Sequence, residues 1–311
     1  MDAQIRLKHL SGLSLEEPEL ISFSFVKDAY TPYTTLRARL HGVQADYETI
    51  TEIFLYVGEH LVHHGLVDKL DISDSDGMKL VTLSSRGFTS LLCQNQITPG
   101  LVSDITINDL MDSYYQLPYV THEDNPDQSG YIYVKDSSTM WDGIANLAFK
   151  LNGIYPYIRG TNCVRTSAEQ NPKAFVYDNS SIIESGMGYD YVNMISHFDM
   201  SDINGEYGEF TLSDSDVRTC MIERHRVFEL DMQFLYDPQQ ALEYRSNYSK
   251  RGCRRYFCRY CGYNGEDLCD LVSFGNISSK RIGKIEISGN NSGIFTSLSV
   301  YYDSFFIQGT L

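Results

Sequence analysis

The sequence predicts a mainly β fold interrupted by one α+β insertion, and three observations carry that expectation. Tyr and Phe number 23 and 15 against a single Trp, an aromatic content that suits strands better than a helical bundle. Apolar and polar residues alternate over most of the chain before Pro99 and again after Ala174, whereas the stretch between reads with helical spacing. With 311 residues, the chain also exceeds the size at which one core usually stops growing, so two or three domains are expected.

In chain order, "SFSFVKDAYTPYTTLRARLHGV" reads as two strands around a turn at Asp28 to Pro32, with Leu36, Ala38 and Leu40 on one face and Arg37 and Arg39 on the other. "EIFLYVGEHLVHHGLVDKLDISDSDGMKLVTLSSRG" adds three strands, broken at Gly58-Glu59 and at the Asp-rich turn before Gly77, for an antiparallel meander. After Pro99, Ile107, Leu110, Met111, Tyr114 and Tyr115 follow a Thr106-x-x-Asp109 helix start. Met140, Trp141, Ile144, Leu147, Ala148 and Leu151 form a second helix, from a Ser137-Ser138 cap to an Asn152-Gly153 stop. "IYPYIRGTNCVRTS" is a hairpin turning at Gly160-Thr161-Asn162. From Ala174 strands resume, interrupted by a helix over about 238–252 that opens on the N-cap Asp237 and Pro238. Near the end, Ile285 and Ile287 are answered by Leu298, Val300 and Tyr302 across a turn at Asn290 to Gly293. The expected units are 1–103, 104–172 and 173–311.

A net charge of −16 argues against a face that tracks phosphates, so no sequence-specific nucleic-acid partner is expected. The one basic patch, Lys250, Arg251, Arg254, Arg255 and Arg259, reads as the solvated face of a helix end and strand, with a partner contact as its sharper reading. "MDAQIRLKHLSG" lacks a signal-peptide apolar region and no apolar run reaches the roughly 18 residues of a membrane span, so synthesis in the cytoplasm is expected. Seven cysteines, an odd number, should there stay reduced.

Four of those cysteines, Cys253, Cys258, Cys261 and Cys269, are spaced C-x4-C-x2-C-x7-C, and four thiolates can hold zinc or an iron–sulfur cluster. Against a site, alternation along "CRRYFCRYC" places Cys253, Phe257 and Cys261 on one strand face and Cys258 on the other with Tyr256 and Tyr260, and "GYNGED" before Cys269 reads as a turn. Structural thiols are therefore favoured, with no cofactor, and metal binding is the alternative. "DISDSDG" fails as a calcium loop, because aligning Gly77 with the loop glycine puts Ile72 and Leu83 at ligand positions. His60 and His64 share a strand face with nothing spaced to complete a metal set, which makes them half-exposed strand histidines. No nucleophile elbow, P-loop or dinucleotide fingerprint occurs, Glu16-Glu17 lacks a second acid to work with, and no enzyme is expected.

The order of elements, with "DKLDISDSDGMKLVTLSSRGFTSLL" followed by "SSTMWDGIANLAFKLNGIYPYI", resembles the baseplate hub, or late-control-D-like, tail proteins of contractile phage tails, tailocins and related injection systems. That resemblance implies two tube-like antiparallel β-barrel domains flanking a small α/β domain. It also implies a structural homotrimer, which adapts the hexameric tail tube to the trimeric central spike and nucleates baseplate assembly. Two similar β halves in three copies make a ring of six, which meets a hexameric tube without mismatch. The implied partners are further copies of the chain, the tail tube or tube-initiator protein, the central spike, other baseplate proteins and the tape-measure protein. The implied location is the virion baseplate or tailocin particle.

Overall fold

The structure, a computed structural model, describes all residues except 1, 11, 13–14, 44–45, 76, 115 and 303–311. Asp76, in the expected turn before Gly77, and Tyr115, expected on the first helix, lie outside the described residues.

Seven strands form the first part: β1 (Ala3–His9), β2 (Leu15–Glu16), β3 (Glu19–Asp28), β4 (Thr35–His41), β5 (Ile50–Val57), β6 (His60–Ser75) and β7 (Met78–Gly87). Period-two alternation builds them: Leu36, Ala38 and Leu40 are buried while Arg37 and Arg39 face solvent. The strands are not a simple meander, because β4 pairs with β7 and not with β5, which instead pairs with β1. The reason lies in burial. Ile53 and Leu55 on β5 and Ile5 and Leu7 on β1 are all fully buried, so β5 lies beside β1 and the chain after β4 crosses to reach it. The resulting order, β3-β4-β7-β6-β5-β1-β2, curls until β1 touches β3, wrapping one core.

The insertion comprises α1 (Leu91–Gln94), β8 (Gly100–Ile105), α2 (Ile107–Asp109) running into a π-helical turn (Leu110–Tyr114), β9 (Thr121–His122), β10 (Gly130–Val134), α3 (Met140–Asn152), β11 (Tyr157–Arg159) and β12 (Cys163–Arg165). Thr106 and Asp109 form the expected reciprocal cap. The cap of α3 is Thr139 rather than Ser137-Ser138, since only a residue three before Asp142 can exchange both bonds with it. Gly153 ends α3 at φ 68°, a left-handed conformation that favours glycine. One face of α3, with Trp141, Ile144, Leu147 and Ala148, fills a second core.

The last part contains β13 (Ala174–Tyr177), β14 (Ile182–Tyr189), β15 (His197–Met200), β16 (Phe210–Ser213), α4 (Ser215–Thr219), β17 (His225–Phe228), α5 (Pro238–Lys250), β18 (Arg254–Cys261), β19 (Leu271–Phe274), β20 (Ile277–Arg281), β21 (Lys284–Asn290) and β22 (Gly293–Tyr301). β14, β18, β22 and β21 continue the first sheet, because β21 pairs with β3 over Lys284–Gly289, and the result is one curled sheet of eleven strands. β13, β19 and β20 form a second layer whose Tyr177, Val272 and Phe274 share the core of that sheet. The segment from β15 to α5 packs elsewhere. Phe198, Met200, Phe234 and Leu242 join the core of the insertion, so residues expected in a unit over 173–311 share the core that α3 fills. Sequence separation hid this: α5 packs on β15 and β16, and through rings such as Tyr244, 5.0 Å from Phe149 of α3, this layer joins a core begun about a hundred positions earlier.

Candidate functional site

The large sheet ends in a strand that lacks a partner on its outer side. β14 pairs only with β18, from Ile182 opposite Tyr260 to Tyr189 opposite Arg254, and its other edge carries backbone N–H and C=O groups that no strand among the described residues takes up. An edge of this kind is a template for pairing with another chain, and native proteins usually blunt it with charge or proline. Here it carries Ile183, Met187 and Tyr189, each more than half exposed, and Tyr191 and Val192 extend the apolar surface. Gly186 and Gly188 leave room for the neighbouring strand's side chains: a Cβ would stand 2.9 Å from the Phe257 ring and 3.0 Å from Arg255 Nε. The basic residues nearby are largely engaged. Lys250 pairs with Asp214 at 2.7 Å, Arg251 lies over the Tyr248 ring at 3.6 Å and Arg259 over Phe295 at 5.0 Å.

A charged junction joins all three parts of the chain. Lys27 on β3 is 5% exposed; its ammonium donates to the Gly160 carbonyl at 2.7 Å and to the Asp267 carboxylate, which also accepts from the Gly160 N–H at 2.7 Å. Arg159 donates to the Leu268 carbonyl at 2.6 Å and to Asp270 Oδ1 at 2.8 Å. Beside them Glu266, fully buried, accepts from the Tyr177 and Tyr260 hydroxyls and from the Asn264 N–H at 3.0 Å. Burial and the Glu266 carboxylate hold both phenols well above their ordinary pKa. "GYNGED" is thus an interior acid anchor and not merely a surface turn. Its spacing gave no sign of this, because besides Tyr260 and Asn264 close by the partners come from β3, the β11–β12 hairpin and β13.

The four clustered cysteines are distributed over different environments. Cys253 packs with Met194 and Val217, Cys258 and Cys269 sit in the main core, and Cys261 is exposed. Burial pushes the Cys258 and Cys269 thiols up to about 12 and about 11. Among the described residues no three of these thiols come within ligand distance of one another. The histidines of "GEHLVHHGLVD" depart from expectation: His60 is exposed, but His63 and His64 are buried. His63 bonds Thr34 Oγ1 and Ser85 Oγ, both at 2.8 Å, and burial holds its pKa down to about 3. His64 Nε2 meets Glu52 at 2.9 Å, and the other oxygen of Glu52 takes the Lys8 ammonium at 2.7 Å.

A cleft of about 630 Å³ opens between α3, α5 and the β15–β17 layer. Its floor is Asp231, which holds Lys135 at 2.8 Å and Arg245 at 2.6 Å, and its apolar wall includes Phe198, Phe228 and Tyr244. Its lining contains no cysteine or histidine, so it offers no nucleophile with an adjacent imidazole base. One group of three metal-ligating side chains is found among the described residues, His197, Glu223 and His225 on the β15–β17 layer, and sequence reasoning did not single it out. Its only sequence signal is Glu223 and His225 two apart; His197 joins them through strand pairing.

No protein-family model matches the chain, and no curated protein does. Solved structures do. A tail protein from Neisseria meningitidis MC58 aligns over 98% of both chains with a TM-score of 0.73 at 12% identity. A 43 kDa tail protein of prophage MuSo2 from Shewanella oneidensis aligns over 96% of this chain and 98% of its own, with a TM-score of 0.72 at 14% identity. A component of the E. coli type VI secretion system, described as structurally similar to the bacteriophage T4 tail proteins gp27 and gp5, is covered over 79% of its length by 99% of this chain, with a TM-score of 0.60 at 8% identity. Over nearly its whole length the chain therefore has the mainly β fold of these phage tail and secretion-system proteins.

Proposed function

We propose that the chain is the structural baseplate hub of a contractile phage tail or tailocin. It acts as a non-enzymatic homotrimer that joins the hexameric tail tube to the trimeric central spike and nucleates baseplate assembly in the bacterial cytoplasm. The observation that carries this reading is the eleven-stranded curled sheet, built from both β-rich parts of the chain and ending in the unpartnered, apolar strand β14. A contact between β14 and a different face of the next copy is heterologous, and heterologous contacts close into a ring when the rotation between copies divides the circle. Three copies then present six β-rich units to a six-fold tube. The spike, the tube or tube-initiator protein, other baseplate proteins and the tape-measure protein are the partners this assembly requires. The fold likeness to tail and type VI secretion proteins supports the same reading.

Light scattering on the purified chain, alone and with its spike, tests it together with Met187→Lys on the exposed edge. The expected result is a mass three times 35.4 kDa for the wild type and a monomer for the variant, with the same circular dichroism. A wild type that remains monomeric with its spike, or a variant that trimerises equally well, would count against the proposal.

A further inference from the structure

His197, Glu223 and His225 stand together on a scaffold that fixes them. His197 on β15 is paired in register with His225 on the parallel strand β17, so both rings lie on one face, stacked at 4.1 Å between centroids. The chain before β17 turns through Met221, which has φ 61°, and this turn returns Glu223 to the two rings. Glu223 Oε2 lies 3.7 Å from His197 Nδ1 and 3.8 Å from His225 Nε2, while its Oε1 accepts from Arg218 Nε at 3.2 Å. Between the two ligands in sequence, Arg224 is clamped. Its guanidinium donates to the carbonyls of Tyr191, Val192 and Met194 at 2.7, 2.6 and 3.1 Å, and its N–H donates to Ser196 Oγ at 2.9 Å.

We infer that this triad is a surface site for a divalent transition-metal cation of the zinc class. Two imidazoles and a carboxylate are a common donor set for such ions, and tetrahedral bonds of about 2.0–2.2 Å place ligand atoms about 3.4 Å apart. The two observed nitrogen–oxygen separations exceed that by only a few tenths of an ångström. An imidazole binds a metal in its own plane, so the stacked rings must tilt toward a shared point. The His225 and Glu223 side chains, 64% and 57% exposed, have the freedom to move. Ser213 Oγ, opposite His197 across the β15–β16 pair and 3.3 Å from its Nε2, can take the Nε2–H, which fixes the tautomer that leaves Nδ1, 3.7 Å from Glu223 Oε2, unprotonated as a donor. Ser196 Oγ, now 2.9 Å from that Nδ1, retains the Arg224 carbonyl at 3.0 Å as an acceptor for its hydrogen once the ion takes its place. The fourth position faces solvent. The cysteine cluster takes no part, so the ion sits on nitrogen and oxygen alone.

The test uses the full, untagged chain stripped of metal with a chelator. Zinc is titrated in competition with a chromophoric chelator, and cobalt(II) is added to a parallel sample for its absorption spectrum. One zinc per chain is expected, weakened 10-fold or more by His225→Ala and by Glu223→Gln and unchanged by Cys261→Ser, with a cobalt spectrum free of thiolate charge transfer. Circular dichroism of the two exposed-site variants should match the wild type. Absence of saturable zinc uptake, uptake that survives both site variants, or a thiolate band in the cobalt complex would overturn the assignment.

Discussion

Lys27 and Asp267, 240 positions apart in sequence, form a part-buried ion pair where the first β-rich part, the insertion hairpin at Gly160 and the last part of the chain meet. Among the described residues strand pairing joins the first and last parts through β21 and β3, and the pair adds the insertion hairpin to that junction. Removing the carboxylate strands the buried Lys27 ammonium away from water, which typically costs about 3–5 kcal/mol; removing Lys27 leaves Asp267, one-fifth exposed, still accepting from the Gly160 N–H, and costs less. Asp267→Asn should lower the unfolding free energy by an amount in that range and Lys27→Met by less, each seen as a lower urea midpoint with little change in slope in equilibrium unfolding. A loss under about 1 kcal/mol for both would mark the pair as an exposed bridge in effect.

Buried His63 makes stability depend on acid. In the folded chain it stays neutral down to about pH 3, whereas the unfolded chain binds the proton near 6.5, so between those values the unfolded state holds more protons. The contribution is complete above 6.5, falls as pH drops toward 3 and changes no further below that. Its size over the window is on the order of 5 kcal/mol. Unfolding free energies measured from pH 7 to pH 4 should therefore decline less steeply in His63→Gln than in the wild type. Parallel slopes would show that another group sets the acid dependence.

Thiol chemistry should follow burial. Iodoacetamide is expected to modify Cys261 in the native protein and to leave Cys258 and Cys269 intact until denaturant is added, since the latter two are buried with raised pKa values. Mass mapping of labelled peptides reads this directly, and early labelling of Cys258 would show that β18 opens. Cys258→Ser should cost about 1–3 kcal/mol, the usual range for a buried position.

Gly65 sits where β6 leaves no room beside β7 for a side chain. A Cβ there would stand 2.3 Å from the Arg86 carbonyl oxygen and 2.6 Å from His63 Nε2, so backbone and a buried ring would both have to shift. Gly65→Ala is expected to destabilise the protein by about 1–3 kcal/mol. Gly77→Ala serves as a comparison for backbone strain without crowding, since Gly77 has φ 76° and open space around it. Thermal melts of the two variants should separate crowding from strain; an unchanged melting point for Gly65→Ala would refute the crowding.

Local rules made much of the fold legible. Alternation in Leu36 to Leu40, the Thr106–Asp109 cap, the Gly153 stop and the Asp237-Pro238 start all act over a few residues, and each stands where the sequence pattern puts it. What stayed hidden depends on distant partners. The pairing of β4 with β7, the packing of α5 on β15 and β16, the burial of Glu266 and the meeting of His197 with Glu223 are decided by which surfaces find each other, and no local spacing records that. The His63 burial belongs with these, because Thr34, just before β4, and Ser85 on β7 satisfy its ring.

Electron microscopy of assembled tail particles tests the hub assignment most directly, by the copy number and position of this chain. Three copies at the junction of tube and spike are expected, arranged in a ring with strand β14 of each copy against its neighbour. Six copies, or copies located away from the tail axis, would contradict it.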